Sequence, residues 1–238
     1  MPKEYNLEKE LLPKRGERLI SQKEAMRVCA FDEQAMEITT KSTFTTHNRY
    51  GAHRAVRAAN IINDFFYEEH FQRKTILELG PGHYSFALLA RHLGAEVICV
   101  ERDSVHVELG RYLGFKVLDM NFEDLTIDNV GKPVDGLWMK GAFNACRNPE
   151  IESIYSFVKK MTDLIAPMGW GWCVTVNKAA NREGEERTEF ETSRIEVQRD
   201  AYAQSGWDVS LIQAEDRKRY ALTYAGSFYY FTRQLPIS

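Results

Sequence analysis

Apolar residues recur along this chain in two different rhythms. From Leu19 to about Ile38, the residues Leu19, Ala25, Met26, Cys29, Phe31 and Met36 stand among charges, and this pattern predicts an amphipathic helix. A second helix is expected from Gly51 to about Phe71. Val56, Ala59, Ile61, Ile62, Phe65 and Phe66 form its apolar face, with Arg54, Arg57 and Asn60 off it. Residues 39–46 are rich in Thr and Ser and read as a loop, and residues 1–18 form a charged arm.

After Lys74 the rhythm shortens. Thr75 to Leu79 is a compact apolar run broken by Gly80-Pro81-Gly82, and Tyr84 to Leu93 then has helical spacing stopped by Gly94. Val97 to Val100, Phe115 to Leu118, Val134 to Met139 and Trp170 to Val176 are further strand candidates. Helical segments are expected at Val105 to Leu113, Ile151 to Ile165 and Thr188 to Ser205, with Pro167-Met168-Gly169 closing the second of these. Trp207 to Ile212 and Tyr220 to Phe231 are closing strands with no helix between them, so they should pair antiparallel as a hairpin. Strand–helix alternation over this length implies an α/β fold with a mostly parallel sheet covered on both faces. The expected division is an N-terminal arm and helical cap, 1–70, followed by a ligand-binding domain, 71–238.

Composition narrows the class. The chain has 238 residues, enough for one α/β domain with a sizeable core. A formal charge of −3 argues against dependence on nonspecific nucleic-acid binding, which needs clustered Lys and Arg. Cys29, Cys99, Cys146 and Cys173 are widely spaced, without a CxxC pair; Cys99 and Cys173, inside apolar runs, read as small core hydrophobes. No metal site is suggested. The N-terminus lacks an apolar signal core and no apolar run reaches membrane-span length, so a cytoplasmic location is expected.

The chemistry gathers where the first strand ends. In parallel sheets, ligands bind at the carboxyl ends of strands, where strand order reverses. Gly80 and Gly82 let the backbone turn sharply and a ligand approach it, and the next helix offers free N–H groups there. The second strand ends at Glu101, at the spacing of an acid that accepts ribose hydroxyls. A dinucleotide fingerprint would place glycine where Ser85 stands. Glu78, just before the turn, opposes a pyrophosphate and suits a cationic group such as a sulfonium or ammonium.

Ile76-Leu77-Glu78-Leu79-Gly80-Pro81-Gly82, followed by Val97-Ile98-Cys99-Val100-Glu101, resembles the first two motifs of the class I S-adenosylmethionine-dependent methyltransferases. The resemblance covers roughly residues 70–235. It implies a Rossmann-like three-layer sandwich with a seven-stranded, mostly parallel sheet whose last strand is antiparallel. It also implies that S-adenosyl-L-methionine is the cofactor. Glu78, Gly80, Pro81 and Gly82 would then line the methionine and sulfonium end, and Glu101, with Arg102 after it, the ribose. Asp119 would lie near the adenine amino group, Met120 against the adenine ring, and Lys140 at the pocket mouth. The family often has a third glycine where Tyr84 stands. Here Tyr84 is expected to pack, with a contribution from its hydroxyl as the alternative.

Other constellations bear on the acceptor. Arg49 and Tyr50, in the expected cap, could meet the methionine carboxylate or the substrate, since an Arg fork matches a carboxylate. His47 is the first choice of general base, with His53 and His83 as alternatives. Asn144 and Asn177, with Lys140, would suit an anionic or amide-bearing small molecule. Tyr155 and Lys159 have YxxxK spacing but lie on an apolar helix, which disfavours a dehydrogenase pair. The expected activity is methyl transfer to an oxygen or nitrogen of a small-molecule acceptor. An NAD(P) oxidoreductase and a noncatalytic adenosine-ligand-binding module are the alternatives. Oligomeric state is left open.

Overall fold

The computed structural model describes residues 18–41, 51–140, 151–176, 189–213 and 226–233. Eight α-helices and seven strands are present among them. The helices are α1 Gln22–Val28, α2 Glu33–Thr40, α3 Gly51–Phe65, α4 Ser85–His92, α5 Ser104–Tyr112, α6 Ile127–Val130, α7 Ile151–Asp163 and α8 Glu189–Gln204. The strands are β1 Thr75–Leu79, β2 Glu96–Glu101, β3 Lys116–Asp119, β4 Val134–Lys140, β5 Ile165–Val176, β6 Trp207–Gln213 and β7 Gly226–Arg233.

All strands join one sheet in the order β3-β2-β1-β4-β5-β7-β6. The pairs β1–β2, β1–β4, β2–β3 and β4–β5 are parallel, and β7 runs antiparallel to both β5 and β6. Strand order reverses at β1, between β2 and β4, so the crevice at its carboxyl end is the expected place for a ligand. The chain reaches that crevice at Gly80.

Period-2 alternation sorts side chains to two cores. Ile76, Val97, Cys99, Trp138, Trp170 and Trp172 face α3, α4 and α5, joined there by Phe66, Phe86 and Leu89. Leu77, Leu79, Ile98, Val100, Leu137 and Met139 face the opposite way, toward Phe157, Val158 and Met161 of α7 and Tyr202 of α8. Each such side chain, fully buried, contributes about 1.5–3 kcal/mol relative to exposure. The first core is strongly aromatic. Trp138 stacks on Phe86 at 3.8 Å, Phe65 meets Trp172 at 4.6 Å, and Phe66 meets Trp170 at 4.7 Å. Helix α3 is therefore part of the layer covering the sheet.

The N-terminal helix differs from the sequence expectation. It is two helices, α1 and α2, broken at Cys29–Asp32. Capping explains the break. The Ser21 side chain accepts from Glu24 N and starts α1; the Asp32 side chain accepts from Ala35 N and starts α2. The second helix also ends earlier, at Phe65, with a short 3-10 turn over Glu68–His70. Strand β5 begins at Ile165, before the Pro167-Met168-Gly169 stretch read as a stop. Its pairing with β4 shifts register between Val134 and Gly136, so that stretch is accommodated as a bulge in a continuing strand. Residues 220–225 of the last expected strand lie outside the described residues.

Candidate functional site

Gly80 leaves β1 with φ +64° and Gly82 follows with φ +55°. Both are in the left-handed region, where glycine alone has no Cβ penalty. A Cβ built on either would meet nothing within 4 Å. The turn thus presents bare backbone to open space in front of α4. Gly80 N donates to Val100 O at 2.9 Å, which ties the turn to β2.

Glu101 ends β2 half-buried, beside that turn. Its Oε2 accepts from Gly82 N at 3.4 Å. Its Oε1 accepts from Arg102 N at 2.9 Å and Asp103 N at 3.1 Å. Backbone amides hold one oxygen, while the other faces the glycine turn through a long contact that leaves it acceptor capacity. Glu78 is buried on β1, in register with Cys99 and Trp138. Cys29 lies close enough to feel its charge. Burial first, and Glu78 second, push the Cys29 thiol up to about 12, and the same two causes raise Cys99. Both influences disfavour the thiolate.

A topology-reversal crevice, a glycine turn of open backbone and an acid at the next strand end thus meet at one edge of the sheet. The sequence itself matches no protein-family model and no curated protein. Solved structures match it at low identity. Magnesium protoporphyrin IX methyltransferase from Synechocystis PCC 6803, with bound S-adenosylmethionine, is similar over 86% of this chain and 99% of its own, at 11% identity and TM-score 0.55. The CcbJ methyltransferase from Streptomyces caelestis is similar over 77% of this chain and 90% of its own, at 12% identity and TM-score 0.55. An S-adenosylmethionine-dependent methyltransferase from Mesorhizobium loti is similar over 69% and 93%, at 12% identity and TM-score 0.53. The fold is that of the S-adenosylmethionine-dependent methyltransferases.

Asp119 and Glu101 are register partners at the ends of β3 and β2. Asp119 is exposed, with one oxygen 3.7 Å from the Arg111 guanidinium. Met120 is half-buried against the second core, and its N–H donates to Glu101 O at 3.1 Å. Arg102 is exposed, Pro81 is half-buried within the turn, and Lys140 is the last residue of β4. These positions share the carboxyl edge of the sheet. His47, Arg49, Tyr50, Asn144 and Asn177 lie outside the described residues. His53 is exposed on α3. Lys159 pairs with Asp163 at 2.7 Å on the helix surface.

Tyr84 follows the glycine turn, where the resemblance leads to the expectation of a glycine. It stands in the third-glycine position with a glycine's backbone, φ +58° and ψ 19°, at the N-cap of α4. Its side chain is fully buried and stacks on Phe115 at 5.5 Å. Its hydroxyl donates to His106 O at 2.8 Å. Packing and hydroxyl both count, and burial raises the phenol pKa further above its usual value.

Two site neighbours have no signature in the sequence. The turn between α1 and α2 sits at the glycine turn: Cys29 Sγ lies 3.6 Å from Ser85 O, and Phe31 stacks on His83 at 6.3 Å. Ion pairs or hydrogen bonds fasten the same two helices to α4 and α5 through Glu24–His92, Asp32–Tyr112 and Lys41–Glu108. His83, an alternative base in the sequence reading, is buried between Phe31 and His106. On α3, Arg54 and Arg57 are both half-buried. Desolvation, then the charge of Arg57, lower the Arg54 pKa. Among the described residues no group of His, Cys, Asp and Glu could hold a metal ion, and no helix is long and apolar enough to cross a membrane.

Proposed function

We propose that this chain is an S-adenosylmethionine-dependent methyltransferase acting on an oxygen or nitrogen of a small, anionic or amide-bearing metabolite. The observation that carries the reading is the pairing of two left-handed glycines, open toward the crevice, with a Glu101 carboxylate held beside them. Gly80, Pro81 and Gly82 would take the donor's methionine end, with buried Glu78 supplying negative charge near the sulfonium. Glu101 would accept from the ribose hydroxyls, with Arg102, Asp119 and Met120 around the adenosine and Lys140 at the mouth. The bound donor supplies an already activated methyl group. The chain's own residues then orient the acceptor in line with it and exclude water. His47 is the candidate base for a hydroxyl acceptor, and Arg49, Tyr50, Asn144 and Asn177 are candidates for donor and substrate contacts. The division into a segment 1–70 and a donor-binding domain 71–238, and a cytoplasmic location, belong to the same proposal.

Calorimetry with S-adenosylmethionine, S-adenosylhomocysteine and NAD(P) tests it. Binding of both sulfur compounds is expected, without binding of the dinucleotides. Binding of NAD(P) alone would favour the oxidoreductase alternative. Binding of the sulfur compounds without turnover, in a pooled metabolite screen with a labelled methyl donor, would favour the noncatalytic module.

Gly80→Val places a β-branched side chain at a positive φ and fills the open space. Strain of roughly 1–3 kcal/mol is expected in the turn. Steric block should weaken donor affinity by tenfold or more, on the order of 1.4 kcal/mol. Calorimetry beside thermal unfolding separates the two effects. Unchanged affinity would mean that the ligand does not approach Gly80.

A further inference from the structure

The hydroxyl of Tyr84 belongs to a closed circuit. Tyr84 donates to His106 O at 2.8 Å, and His106 N donates back along the helix start to Asp103 Oδ1 at 3.1 Å. Asp103 N donates to Glu101 Oε1 at 3.1 Å, and Glu101 Oε2 accepts from Gly82 N at 3.4 Å. Gly82, His83 and Tyr84 are consecutive, so the ring closes through covalent backbone. The His83 ring already meets His106 at the first turn of α5, and the Tyr84 hydroxyl adds a directed hydrogen bond from the same turn to the same residue. With it, the two segments flanking the carboxylate are pinned on both sides.

We propose that Tyr84 is a positioning residue for donor binding, fixing the Glu101 carboxylate against the glycine turn through α5 before any ligand arrives. The inference rests on the methyltransferase reading above and deepens it. Three features favour it over simple filling of space. The backbone at Tyr84 is held in a conformation that disfavours a side chain, yet the side chain is large and fully buried. Its ring is fixed by Phe115, which lies under the Arg91 guanidinium at 4.2 Å. The α5 backbone is bare where the hydroxyl lands: a Cβ at Gly110 would lie 2.1 Å from that oxygen. An acceptor group ordered in advance loses less freedom on binding, which raises affinity without a new contact to the ligand.

The test is a double-mutant cycle on the full chain, with S-adenosylhomocysteine as the probe in calorimetry. Tyr84→Phe keeps the ring and removes one hydrogen bond. It is expected to weaken the probe about fivefold, the equivalent of one net hydrogen bond. In a Glu101→Ala background the same change should have no effect, and it should have none on the 2′,3′-dideoxy analogue of the probe. Phe66→Leu, in the same core but outside the circuit, controls for packing: it should lower the unfolding temperature and leave the probe affinity unchanged. Equal loss in both backgrounds, no loss at all, or the same pattern from Phe66→Leu would overturn the inference while leaving the donor reading standing. Failure of the unaltered chain to bind the probe would overturn both.

Discussion

Glu101→Ala is expected to weaken S-adenosylmethionine binding by about a hundredfold, roughly 2.7 kcal/mol, with little change in folding. The size follows from what the carboxylate would do. Hydrogen bonds to a charged acceptor contribute about 1.5–3 kcal/mol each, and a ribose offers two hydroxyls. The small effect on folding follows from exposure. Glu101 is half-buried, so the amides of Gly82, Arg102 and Asp103 can turn to water when the side chain is removed. Glu101→Gln keeps one carbonyl acceptor and should fall between the two. Calorimetry reads the affinity, and thermal unfolding by circular dichroism reads the stability. Full affinity in Glu101→Ala would place the ribose elsewhere and remove the basis for reading β2 as the ribose-binding strand.

Gly110→Ala should destabilise the fold by about 2–3 kcal/mol, as overpacking of a filled core does. The sign is diagnostic, because alanine for glycine inside a helix ordinarily stabilises by about 0.5–1 kcal/mol. Here a Cβ would stand 2.1 Å from the Tyr84 hydroxyl oxygen and 2.3 Å from Cζ. The ring cannot retreat, being stacked on Phe115, anchored to His106 and attached to a left-handed backbone. Denaturant unfolding checks the magnitude. Combination with Tyr84→Ala should remove most of the penalty of the alanine, since the clashing ring is gone. A stabilising Gly110→Ala would show that the tyrosine has another place to go.

The sheet was legible because its strands are short apolar runs, and four of the five parallel ones begin and end within two residues of where hydrophobicity places them. The fifth, β5, was not. Proline and glycine at 167 and 169 signal a stop, and nothing local distinguishes a stop from a bulge that an adjacent strand holds in register. The break between α1 and α2 was missed for a different reason. Two short amphipathic helices in succession imitate one longer helix, although Ser21-Gln22-Lys23-Glu24 and Asp32 carry readable capping signals. Glu101 and the glycines could be chosen from sequence because their chemistry follows strand ends. Cys29 and Phe31 could not, because they reach the turn through tertiary packing alone. Tyr84 lies between these cases. Its packing was expected, but its glycine-like backbone follows no residue preference. Two clues were available: the resemblance places a glycine at this position, and Gly110, a glycine in the middle of a helical pattern, marks a close approach by something large.

The aromatic layer under α3 also bears on how the chain comes off the ribosome. Gly51–Phe65 is made before any strand it covers. Phe65 and Phe66 find Trp170 and Trp172 only when β5, the fifth strand in order, has emerged. Until then α3 has α1, α4 and Trp138 of β4 as neighbours, but the aromatic end of its face lacks the two tryptophans that complete its cover. Slowing synthesis between the helix and β5 would lengthen that exposure, so yield in a host cell should respond to translation speed in this interval more than to speed after it.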